Sequence, residues 1–70
     1  MDKYETGIRI KEIRNLYKAD DFASAAQLAK DIDWSKVKSW DALAMMMDVY
    51  EQTGDNDNAR DMAVLAYNSP

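Results

Sequence analysis

The run Asp55–Asn58 comes nearest to metal chemistry in this 70-residue chain, because four successive side chains offer oxygen donors. A calcium loop of the EF-hand type also needs an oxygen ligand at its fifth position, a glycine at its sixth and a glutamate at its twelfth. Those positions hold Ala59, Arg60 and Ala66. We therefore expect helix caps in this run and no metal site.

Acidic pairs also occur at Asp20–Asp21 and Asp31–Asp33, where carboxylates could transfer protons. The chain has no histidine and no cysteine, which removes the commonest acid–base group, thiolate metal ligands and disulfides. A helical protein with no pocket-forming sheet gives these carboxylates no electrophile to act upon. We predict solvated helix ends at both pairs, no enzyme activity and no cofactor.

Basic side chains gather near the amino terminus, at Arg9, Lys11, Arg14 and Lys18. Single-stranded nucleic acid usually needs stacking aromatics beside such a cluster, and only Tyr17 lies within it. Residues 1–18 carry five basic and three acidic side chains, whereas residues 39–70 carry one basic and six acidic. These opposed halves argue against nucleic acid and favour a ligand, or a neighbouring copy, of mixed charge, with ordinary solvated faces as the other interpretation.

The composition predicts one small all-α domain over residues 1–70. Hydrophobic residues make up 47% of the chain, and two glycines and one proline leave long stretches free to be helical. No run approaches the roughly 18 to 20 apolar residues of a membrane span, and the amino terminus lacks the apolar segment of a signal peptide. We expect a cytoplasmic protein that does not enter membranes.

Apolar residues at three- and four-residue spacing predict two helices in the first half of the chain, over about residues 4–19 and 22–32. Asp20 or Asp21 would cap the second of these helices. A connector that includes Trp34 follows.

The same spacing predicts two helices in the second half. Ser39 would cap the third helix, Gly54 would end it, and Asp55 would cap the fourth. Pro70 would stop the fourth helix.

A constant shift along the chain superimposes its two halves. It places identical or similar residues on each other: Asp21 on Asp55, Ala25 on Ala59, Ala29 on Ala63, Ser35 on Ser69, Ile13 on Met47, Leu16 on Tyr50 and Leu28 on Met62. The shift is a repeat period of about 34 residues, which is typical of stacked helical repeats. We predict an α-solenoid fragment of two helix-turn-helix hairpins, at about residues 5–38 and 39–70, with a closed four-helix bundle as the alternative.

On these residues the chain resembles the tetratricopeptide repeat (TPR) family. The second unit fits the family pattern with Leu43, Met46, Met47, Tyr50, Gly54, Asp55, Ala59, Ala63, Ala66 and Pro70, and the first unit fits it more loosely with Ile13, Leu16, Asp21, Phe22, Ala25, Ala29 and Ile32. The chain departs from the pattern at Met47, where the family prefers a small residue, and at Asp20, where it prefers a turn glycine.

The resemblance implies a concave groove lined by the first helix of each repeat. The side chains facing it would be Ile10, Arg14, Tyr17, Lys18, Asp41, Ala44, Met45, Asp48 and Glu51. Family members that clamp the carboxylate end of chaperone tails use lysine and asparagine at positions that here hold Ile10, Ala44 and Met45. Chaperone-tail binding is therefore not expected.

Successive methionines at Met45, Met46 and Met47 cannot all face the core, because neighbouring helix positions lie about 100° apart. Met45 is either an adaptable contact for a partner or a residue partly covered by the adjacent helix, with Met46 and Met47 filling the core. Trp34 and Trp40 are expected to pack at the hairpin junction, with partner anchoring as the alternative.

We thus predict a non-enzymatic protein-interaction scaffold that presents the groove of the first and third helices to a peptide or a partner helix. The expected contacts are a basic pair for an acidic side chain, an acidic pair for a basic one and an apolar pair: Arg14 with Lys18, Asp48 with Glu51, and Tyr17 with Met45. The alternative is a structural module that stacks onto further repeats or self-associates, without a peptide ligand.

Overall fold

The computed structural model describes residues 2–68, which form four α-helices and one short 3₁₀ turn. Helix α1 spans Lys3–Lys18, α2 spans Phe22–Ala29, the 3₁₀ turn spans Trp34–Lys36, α3 spans Trp40–Gln52 and α4 spans Asn56–Tyr67. There is no strand in residues 2–68, so the predicted all-α class is confirmed. Over the same residues, no helix combines the length and the apolar character needed to cross a bilayer. The predicted stop at Pro70 lies outside the described residues.

Every α-helix begins at a polar side chain that accepts a hydrogen bond from a backbone N–H of the first turn. The bonds run from Glu5 to Asp2 at 2.8 Å, from Ser24 to Asp21 at 3.3 Å, from Ala42 to Ser39 at 3.2 Å and from Asn58 to Asp55 at 3.2 Å. The predicted caps at Ser39 and Asp55 are confirmed, and Asp21 rather than Asp20 caps α2.

The turns inside the two hairpins lie one repeat period apart and have the same backbone geometry. Asp20 has φ 59° and Gly54 has φ 76°, so both occupy the left-handed region. The next residue donates its N–H back to the last helical turn in each case, from Asp21 to Leu16 at 2.9 Å and from Asp55 to Tyr50 at 2.8 Å. These are the bonds of a helix that ends at a left-handed residue. The repeat period therefore holds in three dimensions as well as in sequence.

Helix α3 is the centre of the packing. It contacts α4 within its own hairpin and contacts both α1 and α2 of the first hairpin. Among residues 2–68, α1 and α4 are not among the strongly contacting pairs, whereas a closed four-helix bundle would bring them together. The helices are thus two hairpins laid side by side.

The core combines large side chains with small ones at the helix crossings. Ile13, Leu43, Met46 and Val49 are the largest fully buried side chains. Alanines at positions 25, 29 and 42 are also buried, so α2 and α3 can approach closely. Ala25 and Ala29 thus give α2 a small inner face.

The two tryptophans differ, although the sequence predicts packing at the junction for both. Trp34 is 7% exposed, and its indole N–H donates to the Ala29 carbonyl at 3.1 Å. Trp40 is 60% exposed, so the packing prediction is wrong for this residue. Trp40 is the first residue of α3 and lies six positions before the buried Met46. At 100° per residue, its side chain therefore points about 120° away from that of Met46.

Candidate functional site

The predicted groove surface is centred on a hydrogen bond between its two helices. The Tyr17 hydroxyl on α1 donates to the Asp48 carboxylate on α3 at 2.5 Å, and both residues are half-buried. The Gln52 side-chain amide also donates to Asp48, at 3.4 Å. Tyr17 and Asp48 therefore bind each other, whereas the sequence pattern assigns them separately to an apolar and a basic group of a partner.

Tyr17 prefers to stay protonated in this position. Its hydrogen bond to Asp48 raises the pKa of the Tyr17 hydroxyl, and partial burial and the negative charges of Asp48 and Asp20 act in the same direction. Deprotonation would place two anions side by side and would break the bond that joins α1 to α3.

Tyr17→Phe should lower the free energy of unfolding by about 1 kcal/mol at neutral pH, the typical value of one hydrogen bond. Because the folded-state pKa of Tyr17 is raised, its contribution is complete below the ordinary tyrosine pKa of about 10 and is lost as the pH rises through the folded value. Urea unfolding of both proteins at several pH values above neutrality should therefore show the difference shrinking in alkali. A difference that does not change with pH would show that Tyr17 is not coupled to Asp48.

The remaining groove residues differ in exposure. Lys18, Asp41 and Glu51 are exposed, whereas Ile10, Arg14 and Ala44 are half-buried. The polar members lie where a partner could reach them, with basic side chains on α1 and acidic ones on α3. Their contacts with a partner stay a prediction.

Met45 does not lie on this surface. It is 5% exposed and belongs to the core, so its role as an adaptable contact for a partner is wrong. Ala42 lies three positions before it and Val49 four positions after it, and both are fully buried, so Met45 shares the inward face of α3. The half-exposed methionine is instead Met47.

A cavity of about 650 Å³ opens at the amino-terminal end of the groove surface, between the first half of α1 and the connector to α3. Its apolar part is formed by Ile10 and Val37, with Gly7 beside them. Polar side chains form the rest of the lining: Lys3, Thr6, Asp31, Asp33, Lys36, Lys38 and Ser39. This volume lies within the usual range of ligand pockets, about 300 to 1,000 Å³.

The electrostatic balance of the cavity is positive. Asp31 lies 3.6 Å from Arg9, and Asp33 lies 3.9 Å from Lys36. The Ser35 hydroxyl donates to Asp33, which lowers the pKa of that carboxyl and keeps it ionised. Within residues 2–68, Lys3 and Lys38 have no carboxylate closer than 4.0 Å. Both acids are thus partnered, and two lysines stay available to an anionic group.

Of the residues that line the cavity, only Ile10 is among the binding residues predicted from the sequence. The cavity forms because the connector folds back on α1, more than twenty residues earlier in the chain, and no local pattern encodes this contact. Gly7 is the one signal that was available, since glycine inside a helix costs about 1 kcal/mol relative to alanine. A Cβ at Gly7 would meet nothing within 4 Å, so the space beside this residue is open and no neighbour requires a glycine there.

The oxygen-rich run Asp55–Asn58 has structural partners instead of a metal-binding geometry. Asp55 caps α4 through the Asn58 N–H, and Asp57 lies 3.3 Å from Arg60. In the part of the chain that the structure describes, no group of three or more histidine, cysteine or acidic side chains is arranged to hold a metal ion.

Comparisons with known proteins found no protein-family model, no curated protein and no solved structure that matches this chain.

Proposed function

We propose that this protein is a non-enzymatic interaction module that presents the α1–α3 surface and its cavity to a peptide or a partner helix. The observation that carries the proposal is a continuous track along α1. Lys3, Gly7, Ile10, Arg14 and Tyr17 follow one another at three- and four-residue spacing, so they share one helix face. This face leads from the cavity to the bond between Tyr17 and Asp48.

The length of the track suits a short peptide. Fourteen residues separate its ends, which corresponds to about 20 Å of helix at 1.5 Å per residue. An extended segment of about six residues covers the same distance.

The charges define the partner. The α1 side offers Lys3, Arg14 and Lys18, and the α3 side offers Asp41 and Glu51. The apolar part of the cavity, Ile10 and Val37, would take an apolar side chain. We propose a partner segment with an apolar residue next to an acidic one, and a basic residue further along that meets α3.

Two features support placing the chain with tetratricopeptide-like repeats. The left-handed turn residues Asp20 and Gly54 lie one repeat period apart. The hairpins also pack side by side through α3, as successive repeats of a solenoid do. Membership of this family belongs to the proposal, and the peptide-binding test does not depend on it.

The test is a selection of random 12-residue peptides on the immobilised chain, followed by affinity measurements on the enriched peptides. We expect enrichment of segments that pair acidic with apolar residues. Arg14→Glu and Lys3→Glu should each weaken their binding by roughly tenfold, which equals about 1.4 kcal/mol. Lys30→Glu, an exposed residue after α2, is the matched charge reversal and should leave the affinity unchanged.

Far-ultraviolet circular dichroism of each variant would show that the helices are intact. Peptides that bind the Arg14 and Lys3 variants as tightly as the original chain would place the binding surface elsewhere and refute the proposal.

The alternative function, assembly onto other helical hairpins, is favoured by a separate observation. Apolar side chains on the free side of the second hairpin are exposed, among them Trp40 and Tyr67.

A further inference from the structure

The two hairpins differ in how well equivalent residues are covered. Ile13 and Ala29 in the first hairpin are 0% and 1% exposed, and α3 of the second hairpin packs against both of their helices. Their equivalents one repeat period later, Met47 and Ala63, are only half-buried. In the first hairpin this face is therefore covered by the second hairpin, whereas the equivalent face of the second hairpin has no hairpin packed on it.

This uncovered face, which we call the apolar edge, consists of Trp40, Ala44, Met47, Ala63 and Tyr67. The first three follow the spacing of one face of α3, and the last two follow the spacing of one face of α4. Met47 lies one residue after the buried Met46, and Ala63 one residue after the buried Met62, so each side chain is rotated by about 100° from the buried face of its helix. Because α3 and α4 are antiparallel, the same rotation on both helices brings Met47 and Ala63 to the same side of the hairpin. Trp40 and Tyr67, 60% and 88% exposed, stand at the same end.

The opposite edge of the molecule, on α1, combines the exposed apolar side chains of Tyr4 and Ile8 with exposed polar ones. The α1 residues equivalent to the buried Met45 and Val49 are Lys11 and Asn15, and both are exposed. Head-to-tail stacking would place the apolar edge of one copy against Lys11 and Asn15 of the next, together with Tyr4 and Ile8. Pairing of two apolar edges avoids this mismatch, and such a symmetric contact closes on itself instead of growing into a filament.

We infer that two copies of this chain associate through their apolar edges, with a two-fold axis parallel to the helices. In this arrangement each α3 lies over the partner copy's α4, and the same end of each hairpin lies next to that of the other copy. Trp40 of one copy then faces Tyr67 of the other, and the larger Met47 lies near the smaller Ala63. The inference develops the assembly alternative and does not depend on peptide binding, although Ala44 and Glu51 border both the apolar edge and the α1–α3 surface.

Charge complementarity supports the same arrangement. Glu51 lies one turn after Met47, and Arg60 lies one turn before Ala63, so both flank the apolar edge at the same hairpin end. With the two-fold axis parallel to the helices, Glu51 of each copy faces Arg60 of the other. Arg60 also pairs with Asp57 of its own copy at 3.3 Å, so Glu51 of the other copy would join an exposed ion pair that already exists.

The size of the edge sets the expected affinity. Two helices of 13 and 12 residues present about 20 Å by 20 Å of surface. The total buried area would lie near or below about 1,200 Å², where interfaces are weak. We therefore expect dissociation constants in the micromolar range.

Sedimentation equilibrium of the whole chain from low micromolar to near-millimolar concentration tests the inference. The expected result is a monomer–dimer equilibrium without larger species. Met47→Glu should abolish the dimer, while Ile8→Glu, an exposed apolar residue on α1, should leave it intact. A chain that is monomeric throughout, or a Met47→Glu variant that still dimerises, would overturn the inference, and so would open-ended association.

A charge swap separates the proposed geometry from non-specific contact. Glu51→Arg and Arg60→Glu should each weaken the dimer at least tenfold, because each places like charges opposite one another. The double variant should recover most of the lost affinity. Helical content measured by circular dichroism controls for folding, since both side chains are exposed. A double variant as weak as either single one would refute the two-fold arrangement.

Discussion

Replacing Trp34 with alanine is expected to lower the free energy of unfolding by about 3 to 5 kcal/mol, the usual cost of removing a buried aromatic side chain. Trp34 is 7% exposed and belongs to the main core cluster. Its indole N–H also donates to the Ala29 carbonyl at the end of α2. Domains of this size have only a few kcal/mol of net stability, so the variant should be largely unfolded at physiological temperature.

Urea unfolding followed by circular dichroism measures this effect, and Trp40→Ala is the matched control. Trp40 is mostly exposed, so its removal should change the unfolding free energy by no more than about 0.5 kcal/mol when the protein is dilute. Trp34→Phe keeps much of the packing but removes the donor to Ala29, and we expect an intermediate loss. Equal unfolding curves for the alanine variants at positions 34 and 40 would contradict the assignment of Trp34 to the core.

Local patterns in the sequence were sufficient to predict the helices and their caps. Apolar spacing placed four helices, and Ser39 and Asp55 cap them as expected, because both features depend on interactions within about one turn. The turn at Asp20 was also foreseeable from its equivalence to Gly54, although aspartate is less suited than glycine to a positive φ. The second helix ends at Ala29, earlier than the predicted end near residue 32, and Ile32 is buried in the connector instead of in the helix.

Exposure was harder to predict than helicity. Met45 and Met47 lie on opposite flanks of α3, and the sequence does not state which flank meets the first hairpin. That choice depends on how the two hairpins pack, which buries Met45 and leaves Met47 half-exposed. The same choice exposes Trp40. Because the sequence does not determine which flank of α3 is covered, Met45 was predicted as a binding residue but lies in the core, and Trp40 was predicted to pack but lies on the surface.

The candidate site depends on contacts that are distant in sequence. The bond between Tyr17 and Asp48 joins residues 31 positions apart, and the cavity needs the connector to fold back on α1. Neither residue of the bond has a neighbour in the sequence that indicates its partner. The helix face that carries Ile10 and Arg14 was predictable, but its pairing with the connector was not.

The second large effect is expected for Ile13→Ala, with Met47→Ala as the equivalent change one repeat later. Ile13 is completely buried, so its truncation should cost about 2 to 5 kcal/mol through lost burial and the cavity left behind. Met47 is half-exposed, so solvent can reach the space it vacates, and its truncation should cost about 1 kcal/mol or less. Unfolding free energies of both variants, measured at low micromolar concentration, give the comparison.

This pair of variants also connects stability with assembly, because only Met47 belongs to the apolar edge. If the edge is covered in a dimer, raising the protein concentration should increase the cost of Met47→Ala, since truncation then removes an intermolecular contact as well. The cost of Ile13→Ala should not depend on concentration in the same way, because its neighbours lie within one copy. A cost for Met47→Ala that equals that for Ile13→Ala in dilute solution would show that the second hairpin is already covered within the monomer, and the apolar edge would then have no free surface to offer.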